Sequence, residues 1–461
     1  MAAELPKLSG EENRMRVEDR AAHDWYRFVL SFPPHLVRTY LDRFAIGAGQ
    51  CVLDPFCGTG TTLVECKKLG IASVGVERNP MAAFASRVKL DWRGDPGELV
   101  AHATKIAKIA WAKLDADGID DSESMPLFAR TNGRKPPQLR DLPVEMRSLL
   151  LRDSISPLPL HKALVLLETI EEARSNLFRE HEKLALARTL VSDASNLHFG
   201  PEVGVGPPKP DAAVIGPWLA AIRRIADDLL QLGDRAGIAA EVHRTDARHL
   251  TEVIAPESID AVITSPPYPN EKDYTRTTRL ESVMLGFIRN KAELRSLKQE
   301  LVRSNTRSVY KIDTDDELVA GNPEIQRIAE AIERRRIEMD KTSGFERLYA
   351  RVTKLYFGGM ARHLANLRPV LKPRARLAYV VGDQASYLRV MIRTGAILAD
   401  LARGLGYEVK SIDLFRTRLA TATREALREE VVVLQWPGKR LVRKRESTRR
   451  SANESSSHSS D

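Results

Sequence analysis

The chain has 461 residues, of which 43% are apolar and 29% charged, with 71 Lys and Arg against 62 Asp and Glu. This globular composition excludes a low-complexity chain; no run approaches the roughly 20 apolar residues of a membrane span, and Met1 to Arg20 has no apolar signal core, so a cytoplasmic protein without membrane contact is expected. The three cysteines, Cys51, Cys57 and Cys66, have no metal-ligand spacing with histidine, so neither a disulfide framework nor a bound metal is expected.

In chain order, Cys51-Val52-Leu53 reads as a short strand that enters a glycine-rich turn. Thr61 to Leu69 follows as a helix stopped by Gly70. Ala72 to Val76 is a second strand ending on Glu77, and Asn79-Pro80 starts a helix that runs to Leu90. This is a βαβ unit with glycines at its first turn and a carboxylate at the tip of its second strand. From about residue 96 to 237 the pattern becomes mostly helical, with proline-rich breaks, a long amphipathic stretch over Lys162–Leu190 and a helix over Trp218–Leu232. Strands return at Ala240–His243, leading to Asp246, and at Ile259–Thr264, which ends on Ser265.

A second helical insertion spans 289–346, and its charged run Glu330–Lys341 reads as a solvated helix face. Tyr349–Leu371 is then a helix with Gly358-Gly359 at a close packing point. Leu377–Val381 is a strand, Ile392–Leu405 a helix, and Val409–Phe415 with Glu430–Gln435 a closing strand pair. The tail 437–461 is basic, then serine-rich, and is expected to be disordered. It carries much of the net charge of +9, so the charge permits a nucleic-acid partner without establishing one. The catalytic segments are thus 1–95, 238–288 and 347–436, separated by insertions at 96–237 and 289–346.

The turn Asp54-Pro55-Phe56-Cys57-Gly58-Thr59-Gly60-Thr61-Thr62 has glycines that let the backbone approach a ligand closely. A phosphate-cradling loop would need Gly-Lys-Ser/Thr, and a dinucleotide turn a third glycine where Leu63 stands. Asp54 suits an ammonium group and repels a pyrophosphate, so a ligand carrying both an amino acid and a nucleoside fits best, with a purely structural turn as the alternative. Glu77 stands where an acid accepts from ribose hydroxyls, or where a surface acid caps a helix. Asp246 is a candidate acceptor for an adenine amino group.

Thr264-Ser265-Pro266-Pro267-Tyr268 is the sharper string. An amino group on a heteroaromatic ring is a poor nucleophile because its lone pair is delocalised into the ring. Two acceptors beside its N–H bonds draw the nitrogen toward a tetrahedral form and free that lone pair. Ser265 Oγ and the Pro266 carbonyl suit that role, with the prolines fixing direction, and Tyr268 offers a face on which an extruded base stacks. The bland alternative is a proline-rich strand exit with a buried tyrosine. Carbon methylation needs a cysteine nucleophile after a proline, and the chain has no Pro-Cys pair.

These strings resemble the amino-group DNA methyltransferases, which methylate cytosine N4 or adenine N6. Asp54–Thr62 resembles their first motif, Glu77 with Asn79-Pro80 the second, Asp246 the third and Ser265–Tyr268 the fourth. Ser31-Phe32-Pro33-Pro34-His35-Leu36 resembles the segment that closes over the methionine end of the cofactor, and Tyr274–Leu285 the helix after the fourth motif. The resemblance implies an α/β, Rossmann-like sheet of seven mostly parallel strands with the last antiparallel. It implies S-adenosyl-L-methionine as cofactor, held by Pro34, Asp54, Phe56, Gly58, Gly60, Thr61, Glu77 and Asp246. Ser265, Pro266, Pro267 and Tyr268 are then catalytic, on double-stranded DNA with a flipped target base, and a companion restriction endonuclease fits that picture.

Serine at the first position of the fourth motif is more typical of the cytosine-N4 enzymes. Leu371-Lys372-Pro373 is also familiar, but Arg374-Ala375 replace the usual glycine pair, so that loop is expected to be less tight. No recognition domain follows the last motif, so target reading falls to the insertions, with Arg303–Arg307 and Ser195–Gly206 as candidate contacts. A non-catalytic binding module on the same fold, an adenine-N6 enzyme and an RNA enzyme are the competing readings.

Overall fold

The computed structural model describes residues 15–27, 31–121, 138–173, 177–199, 202–419 and 426–438, so the expected tail beyond Gly438 lies outside the described residues. Seven strands form the central sheet: β1 (Cys51–Asp54), β2 (Ala72–Val76), β5 (Ala240–His243), β6 (Ile259–Thr264), β7 (Leu371–Gly382), β8 (Glu408–Leu419) and β9 (Ala426–Gln435). Two further strands, β3 (Leu197–Phe199) and β4 (Val203–Val205), make a separate antiparallel hairpin. The sheet order is β5-β2-β1-β6-β7-β9-β8. β5, β2, β1, β6 and β7 pair in parallel, and β9 runs antiparallel to both its neighbours. The chain is therefore α/β with a mostly parallel, Rossmann-like methyltransferase sheet.

Both faces of the sheet are covered, which is why its strands are apolar on consecutive positions. Val52, Ala261, Ile263, Ala378, Val380, Val431 and Val433 point to one side, against Leu36, Val37 and Tyr40 of the helix Pro34–Arg43. Leu53, Val262, Leu377, Tyr379, Val381, Val432 and Leu434 point to the other, against the helices Tyr349–Leu367 and Thr394–Gly404. Alternate residues thus serve opposite layers, as a period of two requires.

The residues 96–237 are built on the helices Pro96–Ala116, Pro157–Glu172, Arg179–Thr189 and Ile215–Leu232. The expected single helix over Lys162–Leu190 is two helices that pack on each other, because both must present their apolar stripes to the same core. That core is continuous with Leu63, Phe84, Leu280 and Met284 of the catalytic layers, and Ala22, Trp25 and Tyr26 belong to it as well. Asp228 fixes the N-terminal segment to the block, accepting from Ala22 N at 3.0 Å and Trp25 Nε1 at 2.7 Å. Inside the block, Lys162 is buried between Asp121 and Asp211, a pairing that offsets its desolvation.

The second insertion carries the helix Pro323–Glu338, whose Ile325, Ile328, Ala329 and Ile332 are buried while its charged face is solvated. It is set against the helix Tyr349–Leu367 at Gly358, where a Cβ would stand 1.8 Å from the carbonyl oxygen of Asp315. The start of β7 corrects one expectation. Arg374 takes the left-handed conformation at φ +68°, and its amide donates to Trp436 O at 2.7 Å. The tight turn is kept without glycine, at a strain of about 1 kcal/mol.

Candidate active site

At the carboxyl ends of β1, β2, β6 and β7 the strand-to-helix turns surround a cavity of about 600 Å³, the place where parallel sheets of this topology take ligands. One end is made by the glycine turn. Gly58, at φ +51°, donates its amide to Glu77 Oε2 at 2.9 Å, while Glu77 Oε1 accepts from Asn79 N at 2.7 Å. Gly60 adopts φ +86° at the start of the helix Thr61–Lys68, and a Cβ there would stand 2.5 Å from Ser86 Oγ. Phe56, Gly58, Thr61 and Glu77 all line the cavity. Burial pushes the Glu77 carboxyl up to about 7, against the pull of the Asn79 and Gly58 amides, so it gains by receiving further hydroxyl donors.

Three expected cofactor residues stand differently. Asp54 is 1% exposed and lies behind the residues that line the cavity. As the last residue of β1 it turns to β6 instead, where its Oδ1 accepts from the Thr264 hydroxyl at 2.6 Å and from Phe56 N at 3.1 Å. Burial raises its carboxyl to about 6 despite the Thr264 hydrogen bond. Pro34 is buried as the first residue of its helix, where a proline ring is pre-set, and Ser31, Phe32 and Pro33 form the wall in its place. Gly60 acts on the backbone path behind the lining residues. Asp246 does stand in the wall, but Arg248 grips its carboxylate at 2.6 Å and joins it to Asp315, also at 2.6 Å.

The other end is made by the string after β6. Ser265, Pro266, Pro267 and Tyr268 all line the cavity. The Ser265 hydroxyl donates to Val380 O of β7 at 3.2 Å, which spends its one hydrogen on the sheet and leaves its lone pairs as acceptors. Tyr268 is fixed through its amide, which donates to Tyr274 Oη at 3.2 Å. Its ring lies over Gly382, where a Cβ would be 3.2 Å from Cε2. Burial raises the Tyr268 hydroxyl well above the ordinary phenol range, so it stays neutral.

Several lining residues escaped the sequence reading. Gln384, Arg416 and Glu429 come from the ends of β7, β8 and β9, and Glu300 from the second insertion, whereas Ser304 and Asn305 belong to the expected contact segment Arg303–Arg307 and do line the cavity. A glycine ending a buried strand, as Gly382 does, is the one signal that marks a close approach there. Glu300 spans the cavity to Arg78, whose Nη2 donates to it at 2.6 Å. Of the expected nucleic-acid contacts, Arg303 is buried against Asp313 and the carbonyls of Lys298 and Gln299. Ser195 and Asn196 are buried too, with Asn196 Nδ2 donating to Asp153 O at 2.8 Å. Glu202, from the β3–β4 hairpin, does reach the cavity.

Comparison with known proteins bears on this geometry. The DNA methylase family of N6 and N4 enzymes matches residues 8–85, which include the glycine turn and Glu77. Type II methyltransferase M.BsoBI of Geobacillus stearothermophilus is 24% identical, over 91% of this chain and 86% of its own length. The chain is thus similar to amino-methyltransferases along most of its length, and to the DNA methylase family over its first strands. Type II methyltransferase M.AvaI of Nostoc sp. is 22% identical, over 91% of this chain and 87% of the relative. Type II methyltransferase M.MjaII of Methanocaldococcus jannaschii shares a shorter stretch, 38% identical over 68 residues. Among the described residues no helix is long and apolar enough to cross a membrane.

Proposed function

We propose that this chain is a site-specific DNA methyltransferase that uses S-adenosyl-L-methionine to methylate an exocyclic amino nitrogen, cytosine N4. The observation that carries this reading is that Ser265, Pro266 and Tyr268 share one cavity with Gly58 and Glu77. Its volume suits a nucleoside-sized ligand together with part of a base. The match to the DNA methylase family and the similarity to Type II methyltransferases support a DNA substrate read at a defined site, and the serine of the fourth motif supports N4 over N6.

The residues present fit the cofactor. The half-buried Glu77 carboxylate suits ribose hydroxyls, and the turn at Gly58 is bare of side chain where a ligand lies close. When bound, the cofactor supplies an electrophilic methyl on a positively charged sulfur. The chain's part is to present the nucleophile. Ser265 Oγ, its hydrogen directed to Val380 O, accepts one N–H of the target amine, and the Pro266 carbonyl accepts the other. The nitrogen lone pair is then free to point along the methyl–sulfur axis, and the Tyr268 ring holds the base plane. The amine's proton leaves once the nitrogen carries the methyl, so no strong base is required of the protein.

The experiment is incubation with tritiated S-adenosylmethionine and unmethylated genomic DNA, then nucleoside analysis. Label in N4-methylcytosine is expected. Label in N6-methyladenine overturns the base assignment, label only in RNA overturns the substrate class, and cofactor binding without transfer to any nucleic acid favours the non-catalytic module.

A further inference from the structure

Arg416 and Glu429 stand where a target base would be held, yet the motifs leave them without a task. They form a cross-strand pair between β8 and β9, with Arg416 Nη2 donating to Glu429 Oε1 at 2.8 Å. Both line the cavity. Glu429 pairs in register with Gly382 of β7, and Gly382 is also the point over which Tyr268 and Gln384 converge, all three side chains within 3.4 Å of its Cβ position. Ser265 lies one strand further on, bonded to Val380. A row therefore runs across the sheet's end from Ser265, past Gly382, to the guanidinium of Arg416.

Stability does not explain the pair. A cross-strand ion pair with a 30% exposed arginine contributes little, and the strands already share a long ladder. The strand ends have their own brace in Asp383, fully buried and gripped by Arg393 at 2.5 Å and Arg428 at 3.1 Å. Holding Arg416 inward does have a consequence, because a guanidinium fixed by one carboxylate keeps Nη1 outside that pair.

We infer that Arg416, oriented by Glu429, is a specificity-determining residue that donates to the ring nitrogen and carbonyl oxygen of a cytosine whose amino group lies at Ser265. The inference rests on the cytosine reading above. Neighbouring strands lie about 4.8 Å apart, so Arg416 on β8 starts roughly 14 Å across the sheet from Ser265, and its guanidinium, turned back to Glu429 on β9, comes within roughly 10 Å, the order of a pyrimidine edge with a hydrogen bond at each end. Cytosine presents amine, ring nitrogen and carbonyl oxygen along that edge. Adenine presents amine, ring nitrogen and a C–H, and so leaves the second donor of Arg416 unmet. A site built for an acceptor rejects a ligand lacking it more strongly than a matching apolar site would.

The test uses the full-length chain and a duplex containing its methylation site, once with the natural target cytosine and once with 2-thiocytosine, a weaker acceptor at that position. Wild type is expected to lose about tenfold in kcat/KM on the thio substrate. Arg416→Gln is expected to lose about 100-fold on the natural substrate, with a cofactor Kd within twofold of wild type, and no further on the thio one. Arg416→Lys, which keeps the charge without the fork, is expected to recover only part of the loss. Wild type indifferent to the thio substitution, Arg416→Gln as active as wild type, or equal penalties for the thio base in both proteins would each overturn the inference. An N6-methyladenine product from wild type would overturn the cytosine reading together with it, whereas N4-methylcytosine with an unaffected Arg416→Gln would overturn the inference alone.

Discussion

The two ends of the cavity are made in different ways. The Glu77 end comes from one short stretch, in which Gly58 to Asn79 curls so that a carboxylate receives two amides of its own neighbourhood. The Ser265 end is assembled from distant segments: Ser265 after β6, Gln384 after β7, Arg416 on β8 and Glu429 on β9. The first end depends on backbone shape and tolerates no Cβ at Gly60. The second depends on which side chains the sheet order brings side by side. A cofactor common to a family suits the first construction, and a choice among bases suits the second.

The largest break is expected at the assembled end. Ser265→Ala removes an acceptor poised on the reacting amine and should lower single-turnover methyl transfer by about 100-fold or more, with calorimetric cofactor affinity almost unchanged; equal loss of both would mean that Ser265 supports the fold and does no chemistry. At the local end, Gly60→Ala forces a side chain onto Ser86 at a positive φ, and should cost about 2–3 kcal/mol in urea unfolding. Here cofactor binding and stability should fall together.

Glu77→Gln sharpens the contrast through pH. The charged carboxylate is the better acceptor for ribose hydroxyls, and its pKa is raised to about 7 before ligand binds. Cofactor affinity in wild type should therefore fall as pH drops through 7, approaching tenfold per unit, and Glu77→Gln should flatten that slope while weakening binding about tenfold at pH 8. Without ligand the sign for stability is the reverse. A carboxyl raised from its unfolded value of 4.5 is costless below that value and destabilises the fold as pH rises through 7. Glu77→Gln should then unfold later than wild type at pH 8, by about 1–2 kcal/mol after allowance for solvent at this partly buried site. The smallest effect is expected from Glu300→Gln. Glu300 is 42% exposed, and loss of its pair with Arg78 should raise the cofactor off-rate by less than about fivefold in stopped-flow displacement.

The sequence was readable where chemistry and geometry are local. Cys51–Asp54, the glycines after it and Glu77 lie within one βαβ unit, so spacing alone told where each would stand. Asp54 stands behind the lining because a residue at a strand's last position faces either the strand-end cleft or the neighbouring strand, and the pairing with Thr264 decides which. Pro34 stands one residue behind the lining because a helix start buries its first ring. Asp246 was positioned correctly in the wall, but its partner Arg248 is two residues away and reads as an ordinary surface arginine. Arg416 and Glu429 had no local signal at all, since their meeting depends on β9 running back between β7 and β8.

Gly358 carries one further consequence. Because the helix Tyr349–Leu367 has no side chain where the carbonyl of Asp315 sits against it, the second insertion is keyed into the catalytic body like a tongue in a slot. Asp315 also anchors Arg248 and Arg362, so the same joint steadies the strand-end loop that carries Asp246. Anyone exchanging this insertion for that of a relative would have to move the slot along with the tongue.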